Sequence, residues 1–254
     1  MTTTRTPERG LRAPARTEIT VRADPDGGRV RVVLRHGGAD GPSVRPVLTS
    51  STPRRAEISL VPDGALLLAG DEIEIAVDVA PGLDLVLTEP GGTVAYPMDG
   101  GQARWSVEVV LGERASLAWH GQPFVATRGS TTHRSLVLTC AASARVLLRE
   151  TLVLGRHQET GGILDSRTSV VADGRAVLRE DLELDGAEHD PGVLGAGRVL
   201  DQVLALGLAG QLPEGPGRLD LAAGGVLYRA VAADAHDTGF DTLWRRLAQS
   251  ATEE

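Results

Sequence analysis

Lysine and asparagine are missing from this chain altogether, so all 26 basic side chains are arginine. A Walker phosphate loop needs a lysine on the nucleotide phosphates, and Schiff-base chemistry needs a lysine amine, so both are excluded. A lone cysteine, Cys140, rules out an internal disulfide and fits a reducing compartment. Aromatic residues make up 3% of the chain and the formal net charge is −8. Nucleic-acid binding needs a basic footprint and stacking rings, and neither is present. No apolar run approaches the roughly 20 residues of a membrane-spanning helix, and the opening "MTTTRTPERGLRAPARTEIT" has no apolar signal-peptide core. The chain reads as cytoplasmic, with no nucleic-acid or membrane partner.

What the 254 residues do contain is strand signal. Segments such as "EITVRA", "RVRVVLR", "EIEIAVDVA", "ARWSVEVVL", "HRSLVLT" and "SRTSVVA" are rich in β-branched residues and alternate apolar with polar. Glycine turns separate them: "DPDGG", "PDG", "PGG", "MDGG" and "ADG". Asp173-Gly174 between two alternating runs is the clearest two-residue hairpin. The spacing predicts an all-β fold of many short antiparallel strands. One helix is predicted near the C-terminus, where Phe240, Leu243, Trp244 and Leu247 fall on one face. "VLDQVLALGL", residues 199–208, fits helix and strand equally on periodicity. Residues 1–16, rich in Thr, Pro and Arg, predict a disordered tail. Residues 17–250 predict a single β domain, with frayed ends beyond it.

Catalytic patterns are absent. "GRHQETGG", which starts at Gly155, lacks both the spacing and the lysine of a phosphate loop. No G-x-G-x-x-G stands between a strand and a helix. The segment is predicted to be a strand connector, with Gly161 and Gly162 serving a positive-φ turn or a close backbone approach. There is no G-x-S-x-G elbow, and Cys140 ends an apolar run as a small buried hydrophobe would. The six histidines, including His120 and His157 beside distinctive stretches, show no metal-binding spacing. No carboxylate pair stands out by spacing alone. The residues by themselves favour binding or scaffolding over catalysis.

Several blocks, taken in order, resemble the UreD (UreH) family of urease accessory proteins. They are "SVRPVL" (43–48), "LVPDGALLLAGDEIEIAVDVAPGLDLVLTEPGGTVAY" (60–96) and "ERASLAWHGQPFVATRG" (113–129). "LLRETLVLGRHQETGG" (147–162), "GRAVLREDLELDG" (174–186) and the terminal "FDTLWRRLA" complete the set, which runs from about residue 18 to the C-terminus. The chain departs from the pattern at Ala65 and Ala69, where the family has glycines, and at "EPGG" after Leu87-Thr88.

The resemblance implies a layered antiparallel or β-helix-like sheet structure with few helices, and a role other than catalysis. It implies a nickel-insertion chaperone that binds the urease apoprotein, docks UreF, and through UreF recruits the GTPase UreG. No cofactor would be tightly bound; nickel would be in transit along an internal route. Weak, dispersed oxygen ligands suit passage better than a tight site. By position, Asp71 and Glu180 are the candidates for that route. For Asp71 the structural alternative is a turn side chain bonding backbone N–H groups; for Glu180 it is a solvent-facing strand residue. Glu150 and Arg156 flank "TLVLG" and are candidates to pair with each other or with a partner. Trp119, Pro123 and Phe124 are candidates for an interface or for core packing. Two other readings stay open: a β-rich adaptor unrelated to nickel, and a hydrolase using two carboxylates on a β-helix-like fold.

Overall fold

Alternation gives each strand one apolar face, and two sheets use those faces to enclose a common core. The computed structural model of the chain describes residues 14–37, 42–64, 66–188, 192–208 and 212–252. The chain opens with β1 (Ala15–Arg22), β2 (Arg31–Gly37), β3 (Ser43–Ser51) and β4 (Arg55–Asp63). It continues through β5 (Glu72–Val79), β6 (Asp84–Thr88), β7 (Thr93–Ala95), β8 (Ala103–Leu111), β9 (Ser116–His120) and β10 (Phe124–Ala126). Next come β11 (Thr131–Cys140), β12 (Arg145–Leu154), β13 (Ile163–Ala172) and β14 (Arg175–Asp185). The chain closes with β15 (Val199–Leu206), β16 (Arg218–Asp220), β17 (Val226–Ala232), a short 3-10 turn at Ala235–Thr238 and the helix α1 (Phe240–Thr252).

The first sheet has the order β14-β13-β11-β8-β5-β1-β2, and the second runs β16-β17-β15-β12-β9-β6-β4-β3. Between β4 and β13 the chain alternates between the sheets, so each circuit lays a new strand beside the previous one in the same direction. Strands β1, β5, β8, β11 and β13 are therefore parallel, as are β4, β6, β9 and β12. The short strand β10 pairs in parallel with β7 on one side and with the end of β12 on the other, forming a third side to the coil. The layered, β-helix-like expectation describes this stacked coil. The antiparallel pairing expected from turn spacing holds only at the two ends of the stack, in β1/β2, β3/β4, β13/β14 and the β12-β15-β17-β16 run. Parallel strands need a long crossover, and here the opposite sheet provides it in place of a helix. Away from the face that α1 covers the outer faces are consequently wet, and strands such as β1, β5 and β8 keep the alternation usually seen in antiparallel sheets.

The core between the sheets includes Ile19, Ile73, Ile75, Ile58, Leu85, Leu87, Leu117 and Leu138, all at most 2% exposed. A second, smaller cluster lies on the outer face of the second sheet. There Leu147, Val203, Ala205, Val226 and Tyr228 are covered by Phe240 and Leu247 of α1, with Leu243 and Trp244 packed against them. The predicted apolar helix face is the one used. It also explains residues 199–206: β15 is buried on both faces, one against the first sheet and one against α1, so its periodicity is erased. Asp173 and Gly174 carry φ of 49° and 74°, the two positive values a type I′ hairpin requires. Of the predicted tail, residues 1–13 lie outside the described residues, and Ala15 and Arg16 already belong to β1. Ala65 also lies outside them.

Candidate functional site

On the inward face of β11, Thr132, Leu136, Leu138 and Cys140 are buried, and Arg134 has the same parity. β12 likewise turns Val146, Leu148, Leu152 and the charged Glu150 inward. β14 carries Glu180 in register with inward Thr168, and Gln202 of β15 stands beside both Glu150 and Arg229 of β17. Five charged side chains thus project between two sheets whose facing surfaces are mostly apolar; Glu89, just past β6, is the fifth.

They meet across the gap. Arg134 Nη2 donates to Glu150 Oε1 at 3.0 Å, and the guanidinium lies 4.7 Å from the Phe124 ring centre. Arg229 donates to Glu180 Oε1 at 2.5 Å and to the Gln202 side-chain oxygen. Glu89 accepts from Trp119 Nε1 at 2.9 Å and from the Gln122 backbone N–H at 3.0 Å. Enclosure pushes the Glu89 carboxyl above the usual carboxylate range; the two N–H donors and nearby Arg134 pull it back only in part. A cavity of about 30 Å³ is lined by Glu89, Trp119, Phe124, Arg134 and Glu150 among others. A second of about 20 Å³, lined by Glu150, Thr168, Glu180 and Gln202, shares Leu136, Leu148 and Glu150 with the first. Polar spaces of this size hold one or two waters each.

The structure brings Glu150 and Glu180 together along this file. Glu180 is not a solvent-facing strand residue, since its side chain is 16% exposed. Trp119 and Phe124, at 5% and 4% exposure, line the first cavity as core residues, with no surface to offer a partner. Pro123 is half-buried, and its carbonyl accepts the Thr93 N–H at 3.1 Å. Arg156 does not pair with Glu150, whose partner is Arg134. Arg156 lies on the surface, with its guanidinium 5.5 Å from the Tyr96 ring centre. Asp71 is 3% exposed in the turn before β5, where Oδ2 accepts the Leu68 N–H at 2.6 Å and the Asp71 N–H donates back to Leu68. It lines neither cavity.

The "GRHQETGG" segment connects β12 to β13. Gly155 and Gln158 take positive φ, 81° and 60°. Gly161 and Gly162 serve close approach: a Cβ on Gly162 would stand 2.4 Å from the Thr127 carbonyl oxygen. Glu89, Arg134, Gln202 and Arg229 were not singled out from the sequence. A signal existed for Arg134, which shares parity with Leu136 and Leu138 in "HRSLVLT".

A second buried network lies on the opposite, outer face of β12. Arg149 donates through Nε and Nη2 to Asp201, which is fully buried, and through Nη1 to Asp241 of α1 at 2.5 Å. Asp201 also accepts from Thr151 and Thr238. Burial works against the charged Arg149, but its hydrogen bonds to Asp201 and Asp241 outweigh that and hold its pKa above the ordinary value. His120 stacks on Trp244, ring centres 4.8 Å apart, with Nε2 3.2 Å from Arg149 Nη1. Burial, and then the Arg149 charge, lowers its pKa.

Among the described residues no group of three or more His, Cys, Asp and Glu side chains is placed to hold a metal ion. No helix there is long and apolar enough to cross a membrane. Residues 15–254 match the family profile described as UreD urease accessory protein. The chain is 39% identical to urease accessory protein UreD 1 of Streptomyces griseus over 86% of this chain and 85% of that one. It is 33% identical to urease accessory protein UreD of Streptomyces coelicolor over 89% and 92%, and 32% identical to UreD 2 of Saccharopolyspora erythraea over 79% and 77%. With a profile match from β1 to the C-terminus and relatives aligned over most of their length, the chain belongs to the UreD family of urease accessory proteins.

Proposed function

We propose that this chain is a non-catalytic chaperone that binds the urease apoprotein, docks UreF and through it the GTPase UreG, and gives nickel a path to the urease active site. The observation that supports this reading is the charged file between the sheets. Glu89, Glu150 and Glu180 are spaced along adjoining water-sized cavities, and each keeps some exposure to solvent. Carboxylates met singly and shared with arginines bind a hydrated cation weakly, which lets it leave as well as enter. Hard oxygen ligands of this kind lack the nitrogen and sulfur donors that would hold nickel tightly.

The hydrolase reading loses ground on where carboxylates meet. Among the described residues, the cavities lined by two carboxylates measure about 30 and 20 Å³, far below the roughly 300 Å³ at which ligand pockets begin, and the larger clefts of about 310 and 480 Å³ are lined by one each, Asp84 and Asp220.

The test is deletion of the gene in its host, with urease activity and the nickel content of purified urease as readouts. Inactive, nickel-poor urease that recovers on complementation is the expected result, with Glu180→Ala failing to restore it fully. Active, nickel-replete urease in a host with no second UreD gene overturns the proposal.

A further inference from the structure

Arg134 is unlike the other buried arginines. Arg149 and Arg229 are each held by two or more side chains. The guanidinium of Arg134 is anchored through Nη2 to Glu150 and rests on the Phe124 ring; its Nε and Nη1 are buried with no hydrogen-bond partner. It lines the same cavity as Glu89 and Glu150, and the Glu89 carboxyl feels the charges of both. Removal of Arg134 would leave the Glu89 and Glu150 carboxylates facing one water-sized space. A divalent cation relieves such an arrangement far better than water does.

We propose that Arg134 is a tethered cation occupying the place a metal ion would take between Glu89 and Glu150, so that the file passes divalent ions without trapping them. A guanidinium keeps its charge at any physiological pH, and at this distance it repels an incoming dication directly. The single anchor makes it displaceable: the side chain has unused donors with which to follow either carboxylate or a water. A compact, strongly hydrated lysine ammonium supplies the same charge without the fork. The proposal rests on the reading of the file as the nickel route, and its test is chosen to separate the two.

The full-length protein is purified as wild type, Arg134→Gln, Arg134→Lys and the double variant Glu89→Gln/Arg134→Gln. Circular dichroism checks the fold, and equilibrium dialysis against nickel chloride reads bound metal. The expected result is nickel affinity raised roughly tenfold or more in Arg134→Gln, near wild type in Arg134→Lys, and returned toward wild type in the double variant. Equal nickel binding by folded wild type and Arg134→Gln overturns the proposal. So does tight binding that survives loss of Glu89, because the metal would then sit elsewhere. If Arg134→Gln does not fold, Arg134→Met keeps the aliphatic stem against Phe124 and removes the same charge. Urease activation by the same variants and by Glu150→Gln separates the readings. Tight nickel binding with undiminished activation leaves Arg134 as a cation excluder but removes the route. Unchanged binding, with activation lost in Glu150→Gln, leaves the route and removes the role of Arg134.

Discussion

Arg149 and Glu150 are chain neighbours on β12, yet they belong to two opposite kinds of buried polar structure. On the outer face Arg149 has a partner for each guanidinium nitrogen, and Asp201 accepts from three residues. On the inner face Glu150 meets Arg134, which leaves two nitrogens without a hydrogen-bond partner, in a cavity with room for water. A fully satisfied network fixes geometry; here it fastens α1 to β12 and β15. A partly satisfied one is costly for stability alone, and under the proposed function that cost accompanies a route for ions.

The largest expected effect comes from breaking the outer network. Asp201→Ala strands Arg149 in the interior and removes the acceptor of Thr151 and Thr238. It should cost about 3–5 kcal/mol, or a fall in Tm of roughly 10 °C for a chain of this size, read by thermal unfolding. Any loss of urease activation should follow the fraction folded.

Glu150→Gln tests the inner face. It keeps the shape and a hydrogen-bond acceptor for Arg134, so unfolding should shift by only about 1–2 kcal/mol. Activation per folded molecule should still fall severalfold. An equal ratio of activity loss to stability loss in the two variants would erase the distinction between the faces.

Asp71 is the control: buried like Asp201, with its carboxylate on the Leu68 N–H of its own turn. Asp71→Ala should cost about 1 kcal/mol by leaving the Leu68 N–H unpaired, with activation per folded molecule unchanged. A large activation defect in a stable Asp71→Ala protein would place that turn on the route.

The smallest effect concerns pH. His120 has a folded-state pKa below its ordinary 6.5, so the unfolded chain binds the proton more readily. The stability its neutral form contributes is present above 6.5 and is lost as pH falls from there through the folded value. His120 is faced by Arg149, Asp201, Asp241 and the Trp244 ring, and a proton on it disturbs the outer network alone. The urea midpoint, followed from about pH 8 to about pH 5, should decline more steeply in wild type than in His120→Gln.

Much of the local architecture was legible. Alternation marked the strands, Asp173-Gly174 the hairpin, and Phe240, Leu243, Trp244 and Leu247 the face of α1. Of the file, Glu150 and Glu180 were named through family resemblance. Their pairing was not, because Glu150 lies 16 residues from Arg134 and Glu180 lies 49 from Arg229. The parity clue, a charge on an otherwise apolar face, was readable for Arg134. It was hidden for Glu150 inside "RVLLRETLVL", where both faces of the strand are buried. Glu89 sits in the "EPGG" stretch where the chain departs from the family pattern, so resemblance offered no guide to it.

By itself the sequence determined the strand-rich class, the turns, the terminal helix and the family, because periodicity, turn chemistry and ordered motifs are properties of neighbouring residues. Only the tertiary structure decided that the strands run parallel in a stacked coil, that β15 is covered on both sides, and which charges face each other across the core. Those outcomes depend on the register between successive circuits, and register is set by packing between segments far apart in the chain.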